Sequence, residues 1–507
     1  MIYDASLLDL PTEIHADLCV VGSGAGGAMV AMVAAEAGLD VVMLEAGAFV
    51  PPESMTQREE QMVPQLLWDH GGRTTTDRAV AIHQGRALGG STVHNLNLCK
   101  RIPAGILAAW RRDRGLSHLP PERWDQLYTE VERLLSVSRV PEDQWNRHNL
   151  ILKRGTEALG WEGGGLSHNR SGCIGSGFCE VGCAYDAKNN AAKVLLPRAV
   201  RAGTTVLTRA HAVQVLHDGG RALGVEAVAL DGRTREELSA SATGTAALLT
   251  RSDVPDPGGE TGRGLRVHPA LVAAGEMPEE VRAWEGIPQT YECTEHLSLD
   301  DEAAGSSEGS PARGSRVWLV PAFAHPVGTA TILPGLGADH RRLMTLYPRL
   351  AVLTAMIHDL TPGTVTPSGD RGLAIDYWPD EEDRAELLFG LEASVKLLFA
   401  AGARRVFVPS DPVIELSPSD SLDGIRNMEL RRGEMGVTAV HPMASVPMGD
   451  DPDVAAVGSD GAHHHLEGLY VADGSLFPTS IGVPPQLSIY AMGLHVGRVI
   501  AVGAQGA

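Results

Sequence analysis

Residues 18–27 read Leu-Cys-Val-Val-Gly-Ser-Gly-Ala-Gly-Gly, and this stretch decides the fold. Its first four residues form a continuous apolar run, which predicts a β-strand buried on both faces. The glycine-rich turn leads into residues 28–37, which are small and apolar and predict a helix, and Gly38 would end it because glycine tolerates left-handed backbone. Residues 41–44 predict a second strand, with Glu45 at its end. Strand, turn, helix and strand together predict one right-handed βαβ unit.

The length, charge and composition predict a soluble globular protein. A chain of 507 residues is too long for one compact core, which predicts two domains. The net charge of −21 argues against nucleic-acid binding, which needs clustered Lys and Arg; it is compatible with a cationic substrate, although the solubility of an acidic protein explains it more simply. No apolar run approaches the roughly 20 residues of a membrane span. No basic region precedes the first apolar stretch, so we expect no signal peptide and a cytoplasmic location.

The middle of the chain has weaker patterns. Residues 109–162 predict helical structure, and residues 205–230 predict strands joined by a turn at residues 218–220. Residues 306–315 are rich in Ser, Gly and Pro, which indicates a surface loop or linker. Residues 387–401 predict an amphipathic helix capped by a glycine.

The glycine pattern at the amino terminus predicts a dinucleotide site. Gly22 would permit the tight turn, Gly24 would let the backbone approach a pyrophosphate, and Gly27 would allow close helix–strand packing. The N–H groups at the helix start, beginning with Ala25, would face the phosphates, and Glu45 would accept hydrogen bonds from the adenosine ribose. The acid at position 45 argues against NADP but does not separate FAD from NAD.

The carboxyl terminus favours FAD. Residues 468–472 predict a strand, which Asp473 and Gly474 follow, and FAD enzymes use such a strand end to hold the ribityl chain and pyrophosphate. Pro485 fits the first position of a final helix that would run to about residue 501.

Four segments follow one another along nearly the whole chain. They are the glycine fingerprint with Glu45, residues 85–95 (GRALGGSTVHN), residues 242–252 (ATGTAALLTRS), and His441-Pro442-Met443 with the run through Gln486. Together they resemble the glucose–methanol–choline (GMC) oxidoreductase family. The third segment is the weakest match, because Ala246 replaces a usual proline and Asp253 a usual glycine.

The resemblance implies an α/β fold combined with α+β: a Rossmann-like FAD-binding domain and a substrate domain built on an antiparallel sheet with helices. It implies an FAD-binding domain of residues 1–115, 187–270 and 436–507, and a substrate domain of residues 116–186 and 271–435. It also places further residues at FAD, in addition to the fingerprint and Glu45: Arg86, Gly89, Gly90, Ser91, His94, Asn95, Val213 (through its backbone), Asp473, Gly474, Pro485 and Gln486.

The chemistry implied by the resemblance is oxidation of an alcohol, with hydride passing to flavin N5 and oxygen or another acceptor reoxidising the flavin. Such a reaction needs a base, and among the 19 histidines His441 matches the family's catalytic histidine. The family's usual His or Asn partner is replaced by Pro484, which has no side-chain donor or acceptor. Either His441 acts alone, or Gln486 or a substrate-domain residue assists it. The departure also keeps open a redox-silent lyase or decarboxylase on the same scaffold. The positive end of the final helix would stabilise charge on the reduced flavin.

Three further features remain open at this stage. His94 falls where choline oxidase carries a histidine covalently bound to flavin, so it is either a covalent attachment point or a residue packed beside the ring. Cys173, Cys179 and Cys183 offer three thiolates without an evident fourth ligand, so we predict a loop packed over the flavin and no metal site. Residues 284–289 and 318–325 are candidate pocket segments.

Overall fold

The computed structural model describes residues 1–9, 11–230, 241–299, 315–323, 325–333, 335–369 and 372–506. The loop or linker predicted over residues 306–315 lies almost wholly outside this range. The strands are β1 (Ile2–Asp4), β2 (Leu18–Val21), β3 (Val41–Glu45), β4 (Val80–Ile82), β5 (Val137–Arg139), β6 (Gly163–Gly165), β7 (Ser167–Asn169), β8 (Thr205–Thr208), β9 (Ala210–His217), β10 (Ala222–Ala229), β11 (Arg263–Leu265), β12 (Pro269–Glu276), β13 (Tyr291–Cys293), β14 (Val317–Pro321), β15 (Leu350–Ile357), β16 (Gly363–Ser368), β17 (Gly372–Asp376), β18 (Arg405–Val408), β19 (Ile414–Leu416) and β20 (Val437–Ala439). The α-helices are α1 (Ala25–Glu36), α2 (Glu59–Leu66), α3 (Ala104–Arg114), α4 (Pro121–Leu134), α5 (Arg147–Leu159), α6 (Ala191–Val194), α7 (Leu196–Arg201), α8 (Gly244–Arg251), α9 (Pro326–Ile332), α10 (Ala338–Thr345), α11 (Glu381–Ala400), α12 (Asp423–Arg426) and α13 (Gln486–Gly506).

A four-stranded parallel sheet with the order β1-β8-β3-β2 forms around the predicted βαβ unit. Every residue of β3 is buried, as expected for a strand in a sheet covered on both faces. The small residues of α1 let α13 approach closely, because a Cβ on Gly493 would lie 2.7 Å from the carbonyl oxygen of Gly26. Gly38 has a φ of +98° and follows the end of α1, as predicted.

The second large sheet has nine strands in the described part of the chain. Its main path is β19-β18-β12-β15-β14-β13-β6, and every pairing along that path is antiparallel. The helices α11 and α5 pack on it. This is the antiparallel sheet with helices that the resemblance implied. The parallel pair β20 and β4 extends it, so both the first and the third segment of the predicted FAD-binding domain contribute a strand to this sheet.

Several local predictions need correction. Residues 468–472 do not form a strand, since Gly468 has a φ of +80° and only an isolated bridge joins Tyr470 to Ala462. The final helix begins at Gln486, and the carbonyl of Pro485 accepts a hydrogen bond from the Ile489 amide (2.9 Å), so the proline precedes the first turn. Strand β2 is not buried on both faces, because Cys19 is exposed.

The remaining helices also differ in detail from the prediction. Residues 109–162 contain the end of α3 and the whole of α4 and α5, and the short strand β5 lies between α4 and α5. Helix α11 begins six residues before the predicted start and is buried on most sides. The strands over residues 205–230 lie as predicted.

Helix α13 is the one described helix long and apolar enough to cross a membrane by length and composition. Its apolar window lies in Gln486–Gln505, with a mean hydropathy of 1.4. Within that window, 67% is buried inside the protein, against α1 and α4. Burial of this kind is the ordinary reason for an apolar helix at the core of a protein.

Candidate active site

Neighbouring backbone packs closely against two glycines of the fingerprint, whereas the space beside a third glycine is open. A Cβ on Gly27 would lie 2.0 Å from the Gly22 carbonyl oxygen, and a Cβ on Gly26 would lie 1.9 Å from the Ala472 carbonyl oxygen. By contrast, a Cβ on Gly24 would meet nothing within 4 Å. The backbone at Gly24 is therefore the accessible part of the loop, as a pyrophosphate site requires.

Ser23, which the sequence did not single out, connects the fingerprint to Glu45. The Glu45 carboxylate is buried, and its Oε2 accepts from the Ser23 amide (3.0 Å) and hydroxyl (2.6 Å), while Oε1 accepts from the Gly47 amide (2.7 Å). Burial raises the pKa of Glu45 above its usual value, and these hydrogen bonds oppose that rise. One acceptor position of Oε1 remains for a ribose hydroxyl.

The segment of residues 85–95 meets the fingerprint through glycines. Gly89 and Gly90 have φ values of +102° and +57°, and a Cβ on Gly90 would lie 2.9 Å from the Gly24 Cα. The Gly89 amide donates to the Ser23 hydroxyl (2.8 Å). The hydroxyl of Ser91 accepts from the Gly85 amide, in the same segment (2.8 Å). Two loops far apart in sequence thus form one continuous backbone surface.

Arg86 lies beside this surface. Its guanidinium is over the Trp68 ring, 5.1 Å from the ring centroid, and Arg73 lies 5.0 Å from the same centroid. The positive charge of Arg86 also lowers the pKa of Glu45, although less than burial raises it.

Asn95 and Gln486 join the same segment to the start of α13. The Asn95 side-chain amide donates to Gln486 Oε1 (2.8 Å), and Gln486 Nε2 donates to the Leu98 carbonyl (2.6 Å) and to Asn169 Oδ1 (3.3 Å). Because both ends of its carboxamide are occupied, Gln486 acts here as a clamp between two chain segments.

Asp473, Gly474 and Val213 lie on the other parts of the predicted cofactor site. Asp473 accepts from the hydroxyl of Thr245 (2.5 Å), a residue of the third segment that the sequence did not single out. The Gly474 carbonyl accepts from the Ala444 amide (3.0 Å), which ties the Asp-Gly turn to the His441 segment. Val213 lies at a β-bulge, where the register of β9 and β10 places no residue opposite it.

His94 supplies an observation that fits a bound flavin. Its Nε2 is buried and has no hydrogen-bond partner among the described residues. Burial, followed by the charge of Lys188, lowers the pKa of His94 to about 3. Lys188 itself donates to the backbone carbonyls of Val93 (2.8 Å) and Asn95 (2.6 Å). The buried ring nitrogen of His94 and the open backbone at Gly24 are two features that fit an FAD site.

His441 contacts a second histidine that the sequence analysis missed. The Nδ1 atoms of His441 and His268 are 3.1 Å apart, and the two rings are nearly perpendicular, at 89°. His268 is fully buried, and its Nε2 accepts a hydrogen bond from the Gly482 amide (2.9 Å). Burial lowers the pKa of His441 to about 3, and burial together with the neighbouring histidine holds the pKa of His268 well below its usual value.

The position of His268 is fixed by a buried carboxylate. Asp359 accepts hydrogen bonds from the backbone amides of Val267 (3.0 Å) and His268 (3.2 Å) and from the Tyr377 hydroxyl (3.0 Å). His268 has a φ of +50°, an uncommon value that these hydrogen bonds stabilise. Pro484, the expected partner position, is buried two residues after the Gly482 amide that binds His268.

The remaining candidate segments give a mixed result. Cys173, Cys179 and Cys183 line one small cavity, but the described residues contain no group of three or more His, Cys, Asp or Glu side chains arranged to hold a metal ion. Trp318 is 1% exposed inside β14 and donates to Glu292 (2.5 Å), so the candidate pocket segment at residues 318–325 begins in the sheet core.

The chain is similar to known proteins of one family. The GMC oxidoreductase family matches in two parts, its amino-terminal region over residues 25–270 and its carboxyl-terminal region over residues 360–493. A GMC-type oxidoreductase of Mycobacterium tuberculosis is 34% identical over 504 residues, which cover 96% of this chain and 76% of that protein. A long-chain-alcohol oxidase of Arabidopsis thaliana is 27% identical, over 98% of this chain and 70% of its own length.

Among solved structures, pyridoxine 4-oxidase from Mesorbium loti has the same fold, with a TM-score of 0.69 and 19% sequence identity over 96% of this chain and 99% of that one. These findings confirm the family, the mixed fold with an FAD-binding domain, and FAD as the cofactor. The chain belongs to the GMC oxidoreductase family.

Proposed function

We propose that this protein oxidises the CH–OH group of a small organic alcohol in an FAD-dependent reaction. That the reaction is an oxidation follows from membership of the GMC oxidoreductase family. The 27% identity to a long-chain-alcohol oxidase across nearly the whole chain supports the alcohol as the substrate class. Oxygen or another acceptor would take the electrons afterwards.

The observation that carries the proposal is the His441–His268 contact beside Gly482 (3.1 and 2.9 Å). With its pKa lowered to about 3, His441 is neutral at pH 7, and a neutral imidazole is the form that takes up a hydroxyl proton. His268 holds the His441 ring from the side opposite its Nε2, which leaves that nitrogen for the substrate oxygen. Bound FAD supplies the acceptor for the hydride.

The start of α13 is the second element that supports this function. Gln486 in its first turn is held by Asn95, so the amino end of the helix is fixed against the residue 85–95 segment. The partial positive charge of a helix amino end stabilises negative charge placed near it. In the proposed reaction this end lies by the cofactor ring, where charge develops.

Pro484 supports a second candidate, a lyase or decarboxylase without net redox change. The position offers no side-chain donor or acceptor to hold an alkoxide, which an alcohol oxidation would ordinarily use. The two candidates differ in whether substrate reduces the flavin in the dark.

Anaerobic mixing of the FAD-loaded protein with a panel of aliphatic alcohols, sugars and aldehydes tests both candidates. We expect loss of the oxidised-flavin absorbance with at least one alcohol. The His441→Ala variant should keep its FAD and lose the bleaching by two or more orders of magnitude, the usual contribution of a general base. Conversion of a substrate with unchanged flavin absorbance would favour the lyase, and bleaching at the wild-type rate in His441→Ala would exclude His441 as the base.

A further inference from the structure

The hydrogen bonds around His268 determine which nitrogen of His441 carries its proton. The His268 ring is buried and the His441 ring is half-buried. Desolvation lowers the pKa of each, so both imidazoles are neutral at pH 7. A neutral imidazole has one N–H donor and one acceptor nitrogen. Once one donor to the pair is known, the nitrogen that carries the proton follows for both rings.

That donor is the backbone amide of Gly482. A backbone N–H can only donate, so His268 Nε2, 2.9 Å away, is the acceptor and carries no proton. The proton of His268 then lies on Nδ1 and is donated to Nδ1 of His441 across 3.1 Å. With its Nδ1 accepting, the neutral His441 carries its own proton on Nε2.

We propose that His268 is a positioning residue that holds His441 in the tautomer with the proton on Nε2. In the resting enzyme His441 therefore donates a hydrogen bond to the reacting oxygen. This inference rests on the proposed function only for the identity of that oxygen.

Uptake of the substrate proton requires the pair to reverse. In the reversed arrangement His441 Nδ1–H donates to His268 Nδ1, and the proton of His268 moves to Nε2. That Nε2–H would then face the Gly482 N–H at 2.9 Å, donor against donor. Reversal therefore needs the Gly482 amide to move away, which couples proton uptake at His441 to the loop that ends at Pro484. The number of protons on the pair is unchanged until the substrate hydroxyl delivers one to Nε2.

The resting tautomer also selects ligands. An Nε2–H donor binds an oxygen that accepts, such as an alkoxide, a carbonyl or a carboxylate, better than it binds a hydroxyl proton. The site is thus preset for the product carbonyl or for an anionic oxygen, and the neutral alcohol binds with its lone pair before its proton is taken.

Nitrogen-15 NMR of FAD-loaded protein with labelled histidines tests the inference without turnover. The His441 signals are assigned by their loss in His441→Asn. We expect Nε2 of His441 in the protonated, pyrrole-type range and Nδ1 in the unprotonated, pyridine-type range. The opposite assignment in the wild type would overturn the inference, whether or not alcohols bleach the flavin.

Two variants of the partner extend the test. His268→Leu fills much of the space of the ring but has no donor, and His268→Ala removes the group. In both, we expect the Nδ1 signal of His441 to shift towards the pyrrole-type range, because the donor to Nδ1 is gone. If either folded variant leaves the His441 tautomer as in the wild type, His268 does not set it. The leucine variant keeps the test decisive if the alanine variant fails to fold.

Discussion

A methyl group at Gly26 is expected to destabilise the protein through contact with backbone alone. In Gly26→Ala the new Cβ would lie 1.9 Å from the Ala472 carbonyl oxygen and 2.8 Å from its carbonyl carbon. Because both are backbone atoms, no side-chain rotation relieves the overlap. Overpacking of a core typically costs about 1–3 kcal/mol, and alanine returns about 1 kcal/mol through its higher helix propensity. Taking the upper part of the first range, we expect a net loss of about 2 kcal/mol.

Gly24→Ala is the matched control, two positions earlier in the same loop. Gly24 has a φ of −65° and ψ of −167°, which alanine adopts, and its Cβ would meet nothing within 4 Å. We expect the free energy of unfolding of the FAD-free protein to change by less than about 0.5 kcal/mol. The methyl would occupy the approach of the pyrophosphate, so FAD affinity should fall about tenfold or more, which is about 1.4 kcal/mol.

Urea unfolding of FAD-free protein and FAD titration by flavin fluorescence separate the two effects. Gly26→Ala should lower the unfolding midpoint of the FAD-free protein, whereas Gly24→Ala should leave that midpoint unchanged and weaken FAD binding in the titration. A wild-type midpoint for Gly26→Ala would contradict the predicted overlap with the Ala472 backbone. FAD binding by Gly24→Ala as tight as in the wild type would contradict a pyrophosphate site at Gly24.

Three further predictions concern other parts of the chain. The Glu59 carboxylate accepts hydrogen bonds from two backbone amides at the start of α9 (2.7 and 2.8 Å) and so caps this helix. Glu59→Ala should therefore lower the free energy of unfolding by about 1 kcal/mol and speed hydrogen exchange of the two amides, whereas Glu60→Ala, at an exposed neighbouring position, should do neither. Equal exchange rates in the two variants would contradict the cap. Burial, then the charge of Arg316, lowers the pKa of His358 to about 3, below the value near 6.5 of the unfolded chain. The unfolded chain therefore binds more protons between these values, and the His358 contribution to stability, complete above about pH 6.5, is lost as the pH falls towards 3, by up to about 1.4 kcal/mol per pH unit. His358→Asn should flatten the melting temperature against pH in that range, and an unchanged slope would count against this assignment. Finally, if His94 attaches FAD covalently, acid-precipitated protein stays yellow and His94→Ala releases the colour, whereas a yellow supernatant from the wild type identifies His94 as a packing residue.

The parts of the fold that depend on local patterns could be predicted. The βαβ unit, the strands over residues 205–230 and the final helix follow from periodicity and turn residues within about thirty positions of each other. The strand predicted over residues 468–472 was wrong: the segment is irregular, with Gly468 at positive φ and an isolated bridge at Tyr470, and Val471 is its one buried residue. The residues given to FAD stay predictions, and the geometry adds Ser23 and Thr245 to them.

The contact between His441 and His268 could not be predicted from the sequence. His441 could be chosen because it begins a recognisable segment, but His268 is 173 positions away and Gly482 is 214 positions from His268. No local pattern marks one histidine among 19 as the partner of another. Gln486, proposed from the sequence as an assisting group, instead has both ends of its side chain bound to other residues.

The sequence by itself determined the parallel-sheet unit, because a pyrophosphate-binding turn needs its glycines at fixed spacing within one short segment. It also determined the family, and with it FAD, because four recognisable segments follow one another in order along the chain. Only the tertiary structure shows that His268 contacts His441 and that the Gly482 amide donates to His268. Those properties depend on hydrogen bonds between groups that folding brings together from distant parts of the chain, and their donors and acceptors become defined only when the backbone amide of Gly482 lies against His268.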